Sequence, residues 1–486
     1  MTRTALPQPG RSIRRLVLSV VLAGGAAAAQ AQITTTGPNP GPLPDCPLAG
    51  LPWACIVNAP AQANGVVGNY EQLRIGQQGS GSLTIGSGAE LVLNSNVRPD
   101  PLLVVGDNVG ASGALSVVNG GRLSINVPAA GNGLIAGLFI GPFAAPSNAP
   151  PGPLGGPSPS TVALIADGGV VSVTKQGGVG VGSAVAVGFG AGSNSSLVLD
   201  GGIGSFGSPA AGATLVTTGN LSIGREGTGV VSLNRNATAS ADFVYLSAIG
   251  QQGQSLLAIG FQSIVNAVQT YVGIGLNAIT GLFDAGTSQH GTGVVDLATS
   301  SSVLNSPLTL GQGGTLAGVG TVSGPVANYG GTIGPGHSPG TLTLDGGYTD
   351  VGGHLEIEFG LSGQDQLVVN GPVSMHGTHI NFHFIEGFAP QAGFRFDFLD
   401  SSQVLQDLQD LSFSYTGLAV GFGFDVETGP NGELTFVAIT NGVALPLPGS
   451  LPLVLLGLWA VAGSRTWRLR TGSTSAPSAA PRPRAG

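Results

Sequence analysis

Short runs of alternating apolar residues, each closed by a Gly-rich turn, recur along most of this chain, and few folds accept that pattern. Leu73-Arg-Ile-Gly76 is followed by Gly81-Ser-Leu-Thr-Ile-Gly86 and Ala89-Glu-Leu-Val-Leu93. The unit returns as Leu102-Leu-Val-Val-Gly106, Gly113-Ala-Leu-Ser-Val117 and Gly121-Arg-Leu-Ser-Ile125, with weaker copies beginning near Leu138, Val185, Leu221, Val244 and Tyr271. One such unit cannot bury its apolar face, whereas stacked units can. The expectation is an all-β chain with a parallel β-solenoid over residues 70–345. Roughly ten to thirteen coils at about 4.8 Å each would make a rod ~50–60 Å long. Two stretches interrupt the pattern. Gly141–Ser160 is rich in Pro and Gly and reads as a loop off one coil. Gln251–Gly281 has fewer Gly turns and reads as an irregular coil or a short helix around Ile264-Val-Asn-Ala-Val268.

Within a C-terminal segment 346–440, residues 372 to 440 read as long alternating strands filled with Phe: His379-Ile-Asn-Phe-His-Phe384, Phe394-Arg-Phe-Asp-Phe-Leu399, Leu411-Ser-Phe-Ser-Tyr415 and Leu434-Thr-Phe-Val-Ala438. Aromatic rings bury more area per residue. This segment is expected as a β-rich cap that closes the open end of the stack, where exposed edges would otherwise pair with other chains.

Composition decides what surrounds this core. Gly contributes 84 of 486 residues, charged residues only 8%, and Lys175 is the one lysine. Such a chain invites the reading of disorder, but 42% apolar residues at regular spacing are enough to bury. Between Gln32 and Ser464 lie seven basic and all 24 acidic residues, a net charge of −17. Nucleic acid needs cations to replace its counterions, so that class of partner is excluded, and polyanionic surfaces would be repelled.

The two ends read as export signals. Arg11, Arg14 and Arg15 precede an apolar run, Leu16 to Ala29, and Ala29-Gln30-Ala31 is a small-x-small cleavage site. Residues 1–31 are expected as a signal peptide. Leu445 to Ser464 spans 20 uncharged residues, enough for a membrane-crossing helix. Arg465, Arg468 and Arg470 come directly after it and should stay in the cytoplasm, leaving the rest outside. In an oxidising exported setting Cys46 and Cys55, within an N-terminal segment 32–69, are expected to bridge each other. Their spacing is not Cys-x-x-Cys, which favours a staple over a redox pair.

The C-terminal tail resembles the sorting signal of PEP-CTERM proteins: a short Pro motif, an apolar segment and an Arg-rich end. Leu445-Pro446-Leu447-Pro448-Gly449 stands where a variant of that signal reads Val-Pro-Leu-Pro-Ala, and the apolar segment through Gly457 leads to Arg465, Arg468 and Arg470. It departs from the family in lacking the central Glu, in Gly449, and in the residues 471–486 that trail behind, expected as a disordered tail. The resemblance implies that an exosortase-type membrane enzyme recognises and removes segment 441–470; an ordinary single-pass anchor shares the topology. A second resemblance lies in Gly314-Thr-Leu-Ala-Gly-Val-Gly-Thr-Val-Ser-Gly-Pro-Val-Ala-Asn-Tyr-Gly-Gly-Thr-Ile-Gly-Pro-Gly-His-Ser-Pro-Gly-Thr-Leu-Thr-Leu344, which is similar to the passenger repeat of bacterial autotransporters. Gly353-His-Leu-Glu-Ile-Glu-Phe359 and Asp365-Gln-Leu-Val-Val-Asn-Gly371 extend it loosely. That family implies a right-handed β-helix. The chain beyond Gly371 departs from the family, because a translocating barrel would need many more alternating strands.

Candidate chemistry is sparse. Gly336-His-Ser-Pro-Gly340 matches the Gly-x-Ser-x-Gly of serine hydrolases, but Pro339 has no N–H for the oxyanion hole and no strand-turn-helix context surrounds it. Gly202-Ile-Gly-Ser-Phe-Gly207 matches a dinucleotide motif only as a Gly-rich chain does by chance. His376, His379 and His383 are the candidate metal ligands. His379, Asn381 and His383 share one strand face; His354, Glu356 and Glu358 share the same alternation on an earlier strand, so stacking in register would converge imidazoles on carboxylates. The simpler alternative is a polar face turned to water, with Leu355, Ile357, Phe359, Ile380, Phe382 and Phe384 inside. No cofactor is implied.

Together these readings predict a non-enzymatic, exported structural or adhesin-like protein of the cell envelope or matrix. The PEP-CTERM resemblance adds an association with exopolysaccharide and biofilm. The alternatives are a glycan-active β-helix enzyme and a released passenger.

Overall fold

A computed structural model describes residues 32–35 and 54–445, apart from several connecting segments, the longest being 142–160 and 276–290. Every regular element among the described residues is a strand. The expected signal peptide with Ala29 and Ala31, the loop at 142–160, the tail from Pro446 through Arg470 and residues 471–486 lie outside the described residues.

The chain is a parallel β-solenoid with three strand positions per coil. Ser80–Ile85, Glu90–Asn94 and Leu102–Val105 make one coil. The next coil, Ser112–Val118, Arg122–Val127 and Gly137–Ile140, lies on it strand for strand in parallel register. Thirteen strands succeed one another in this way at the first position, from Pro60–Asn64 to Ser412–Thr416. At ~4.8 Å per step they stack over roughly 55–60 Å.

Alternation explains why the stack is stable. Along the first position the inward residues form one continuous column: Leu83, Leu115, Ala163, Leu197, Val231, Leu257, Val295, Leu316, Ile333, Leu355 and Ile380. All are buried. Each Leu, Ile or Val side chain packed this way contributes about 1.5–3 kcal/mol relative to exposure. The residues between them point outward, and many bond to their counterparts one coil away. Ser112 Oγ donates to Ser80 Oγ at 2.8 Å, Asn126 Nδ2 to Asn94 Oδ1 at 2.6 Å, and Asn305 Nδ2 to Asn266 Oδ1 at 2.9 Å. A surface of Ser, Thr and Asn thus ties the coils together without charge.

The Ile/Val-Gly signature marks one corner of the coil. Ile75, Val105, Ile140, Val187, Ile223, Leu246 and Val272 each close a strand at the third position. The residues after them, Gly76, Gly106, Gly141, Gly188, Gly224, Ser247 and Gly273, all have φ between 48° and 119°. Each backbone N–H bonds to the carbonyl before the corresponding corner: Gly106 to Ile75, Gly141 to Val105, Gly188 to Ile140, Gly224 to Val187, Ser247 to Ile223 and Gly273 to Leu246. At Gly188 an added Cβ would lie 2.5 Å from the carbonyl oxygen of Thr228 in the next coil, so sterics and φ both demand glycine. Ser247 is the exception. Its buried hydroxyl bonds to Ser255 Oγ and Thr292 O, each at 2.8 Å.

Three expectations change. Of the two readings of 251–281, the short helix is absent among its described residues and the irregular coil holds. Thr238–Leu246 and Ile264–Val272 are nine-residue strands that each serve both the second and third positions of a coil. The Thr217-Thr-Gly-Asn220 connection of the coil before them gives way to Ala241-Asp-Phe243 and Ala267-Val-Gln269, which contain no glycine, and the apolar period of the strand passes for a helical one. The weak repeat at Tyr271 is off by one: Val244 pairs with Thr270, and Tyr271 points outward. Lastly, 345/346 is not a break. Tyr348–Val351, His354–Gly360, Gln366–Val369, Val373–His376, His379–Phe384, Gln406–Gln409 and Ser412–Thr416 continue the parallel stacking. Parallel stacking also begins before residue 70, where Ala54–Val57 and Pro60–Asn64 pair with the strands above them.

Apart from a tight hairpin at 359–364 and a single Gly318–Gly336 bridge, antiparallel pairing among the described residues is confined to the two ends. Gln32–Thr35 pairs antiparallel with Pro60–Asn64. At the other end Glu433–Ala438 joins Arg395–Ser401 to Phe424–Thr428. Here the core changes from aliphatic to aromatic. The buried Phe436 ring lies 5.0 Å from both Phe359 and Phe382, centroid to centroid.

Cys55 is fully buried and disulfide-bonded. Cys46, the only other cysteine of the chain, lies outside the described residues.

Candidate functional site

The densest group of chemically capable side chains stands on the outer face of the first strand position, in the last three coils. Its geometry results from alternation. In His354–Gly360, Leu355, Ile357 and Phe359 take the core, which turns His354, Glu356 and Glu358 outward. In His379–Phe384 the same rule turns His379, Asn381 and His383 outward. The strands pair in register: His354 with His379, Glu356 with Asn381, Glu358 with His383. Ser412, Ser414 and Thr416 form the third row.

The side chains then satisfy one another. Glu356 Oε2 accepts from His383 Nε2 at 2.5 Å and from Asn381 Nδ2 at 2.9 Å. His383 Nδ1 is 2.8 Å from Thr416 Oγ1. Ser414 Oγ donates to Asn381 Oδ1 at 2.8 Å and so accepts from His379 Nε2 at 2.8 Å, while His379 Nδ1 lies 2.9 Å from Ser412 Oγ. The hydrogen bond to Glu356 raises the His383 pKa above its ordinary value against the opposing effect of burial. Burial pushes Glu356 up, but the bonds from His383 and Asn381 outweigh it and hold the carboxyl below its usual range.

Of the three predicted metal ligands, His379 and His383 therefore share this face. His376 does not; it ends Val373–His376 at the third strand position of its coil and is exposed. Among the described residues no group of three or more His, Cys, Asp and Glu side chains is arranged to hold a metal ion. Convergence happens, but as a hydrogen-bonded mat in which Glu356 serves His383 and Asn381, and the Ser and Thr hydroxyls of the third row serve both imidazoles.

The Gly336–Gly340 turn has a structural anchor. Buried Asp365 accepts the Gly340 N–H on Oδ1 at 2.8 Å and the Glu358 N–H on Oδ2 at 3.0 Å. Burial pushes its carboxyl up to about 7. His337 turns away to Asp296, Nε2 to Oδ1 2.9 Å, and that hydrogen bond raises its pKa. Ser338 lies outside the described residues.

Sequence reasoning missed a buried polar node beside this face. Asp350 is fully buried and takes four donors. Oδ2 accepts from Tyr348 Oη at 2.5 Å and Asn328 Nδ2 at 2.7 Å; Oδ1 accepts from Thr378 Oγ1 at 2.6 Å and the Gly353 N–H at 2.9 Å. The signal was present. Asn328-Tyr-Gly-Gly331 and Asp350-Val-Gly-Gly353 are two copies of one motif, and in each the side-chain oxygen accepts the N–H of the second glycine. A further feature is an outward aromatic stack, Tyr245 on Tyr271 at 5.4 Å with Phe243 beside them at 6.1 and 6.4 Å.

No protein-family model and no curated protein matches the chain.

Proposed function

We propose that this protein is an exported, non-enzymatic structural or adhesive rod of the cell envelope or extracellular matrix, held or sorted through its PEP-CTERM-like tail. The observation that carries this reading is the uninterrupted stacking of thirteen parallel strands at one position, with outward polar side chains that bond to polar side chains of adjacent coils. Such a surface stiffens a spacer. The seven basic residues between Gln32 and Ser464 and the net charge of −17 direct contacts towards uncharged glycans or other surface proteins rather than nucleic acid. An exosortase-type enzyme would act on segment 441–470.

The His354, Glu356, His379 and His383 face favours one second reading, a glycan-active β-helix enzyme, because it offers both a carboxylate and imidazoles to solvent. In that reading Glu356→Gln or His379→Gln abolishes turnover on a panel of polysaccharides; in the structural reading there is no turnover to lose.

Cell fractionation with intact-mass measurement tests the main reading. The mature protein is expected in the envelope or medium, beginning at Gln32 and lacking the apolar tail or retaining it in the membrane. Deleting residues 443–470 should shift it between these fractions. A full-length chain left in the cytoplasm overturns the proposal.

A further inference from the structure

We infer that the C-terminal end of the solenoid is a foot that lies against a lipid bilayer, with Val420, Val443 and Leu445 as its contact residues. The inference rests on the reading that residues 445–464 enter a membrane. The described structure ends at Leu445, and the uncharged apolar run begins there without a linker. A segment that enters a bilayer at that point brings the adjoining backbone to the headgroup region.

The fold has placed an uncharged, apolar flap at that exit. Leu418 and Ala444 form an antiparallel bridge, Ala419 N donates to Val443 O at 2.8 Å, and Leu445 N donates to Gly417 O at 3.1 Å. These bonds fix the 417–421 turn beside the last three described residues. Gly417 and Gly421 hold it at φ of 87° and 99°. Val420, at the tip, is fully exposed; Val443 and Leu445 are 64% and 52% exposed. No charged residue occurs in 417–423 or 438–445, although Arg395, Asp425 and Glu427 stand on the strands next to them. Exposed aliphatic side chains kept clear of charge, at the exit of a membrane-length segment, match the chemistry of an acyl-headgroup boundary.

The test uses the full chain reconstituted in phosphatidylcholine vesicles, with an environment-sensitive fluorophore on a single introduced thiol and nitroxide-labelled lipid as quencher. Val420→Cys reports the foot, Leu455→Cys the apolar segment, and Val268→Cys a coil about six steps back, roughly 25–30 Å away along the stack. Val443→Cys replaces Val420→Cys if that variant loses its far-ultraviolet strand signal. Quenching of at least about twofold at 420 and 455, with little at 268, is the expected result. Quenching at 455 with none at 420 overturns the foot and leaves the tail reading intact. Equal quenching at 268 and 420 also overturns it. No quenching at 455 or 420 removes the membrane reading and the foot together.

Discussion

Glu356 and His383 close a carboxylate–imidazole pair across two successive coils, with Oε2 and Nε2 2.5 Å apart and each side chain about 31% exposed. The pKa of His383 lies above its ordinary 6.5, so its contribution is complete below that pH and is lost as pH rises through the folded value. The Glu356 pKa lies below its ordinary 4.5, so its contribution holds above that pH and is lost as pH falls through the folded value. The pair is therefore strongest between these two ordinary values. At this exposure it contributes at most about 1 kcal/mol. Glu356→Gln should lower amide-exchange protection in 379–384 at pH 5.5 and leave it nearly unchanged at pH 9. Equal losses at both pH values would show that the pair's charge is irrelevant.

Asp350 is a larger liability. Replacing it with Ala leaves the Tyr348 hydroxyl, the Asn328 amide, the Thr378 hydroxyl and the Gly353 N–H without their acceptor in the interior. Each buried unsatisfied donor costs about 1–3 kcal/mol. The variant should unfold at clearly lower urea concentration, with a loss on the order of 4 kcal/mol after partial relaxation. Asp350→Asn should also be harmful, since its Nδ2 would face donors. A midpoint within error of the parent for both would mean that the node carries no stability.

The corner glycines separate two costs. Gly88 has φ of 72° but open space around a Cβ, so Gly88→Ala isolates the left-handed penalty of about 1–2 kcal/mol. Gly188 has φ of 73° and the Thr228 carbonyl 2.5 Å from that Cβ. Gly188→Ala should cost at least about 2 kcal/mol more than Gly88→Ala in thermal or urea unfolding. Equal costs would mean that the coil spacing yields to the methyl group.

The repeat was legible because one physical rule acts many times. Alternation put Leu83, Leu115 and Leu197 inside, and Ile/Val-Gly marked the corner at Gly76, Gly106 and Gly188, where both φ and the neighbouring coil demand glycine. The same alternation placed His379 opposite His354, and His383 opposite Glu358 and within reach of Glu356, as the shared period of the two strands implied. Three things were not legible. The strands at 238–246 and 264–272 lose the Gly turn, so nothing in the local pattern says that they straighten. The coils past 345 change their core from aliphatic to Phe, which reads as a different domain although the backbone pairing is unchanged. His376 differs from His379 only by a corner at Gly377, with φ of 67°, which sends the two imidazoles to different faces.

Asp365 gives the sharpest pH test. Burial raises its carboxyl from 3.8 to about 7, so between those values the folded chain holds a proton that the unfolded chain has released. Its contribution to stability is greatest below 3.8 and declines as pH rises through about 7. In Asp365→Asn the amide cannot titrate, and its Nδ2 must face either the Gly340 or the Glu358 N–H, leaving that donor unpaired. The variant should lose about 1–3 kcal/mol at low pH. That deficit should shrink toward pH 8, because only the parent is penalised by ionisation. Urea midpoints for both proteins from pH 4 to 8 would therefore converge; a constant gap across the range would mean that Asp365 stays ionised where it sits.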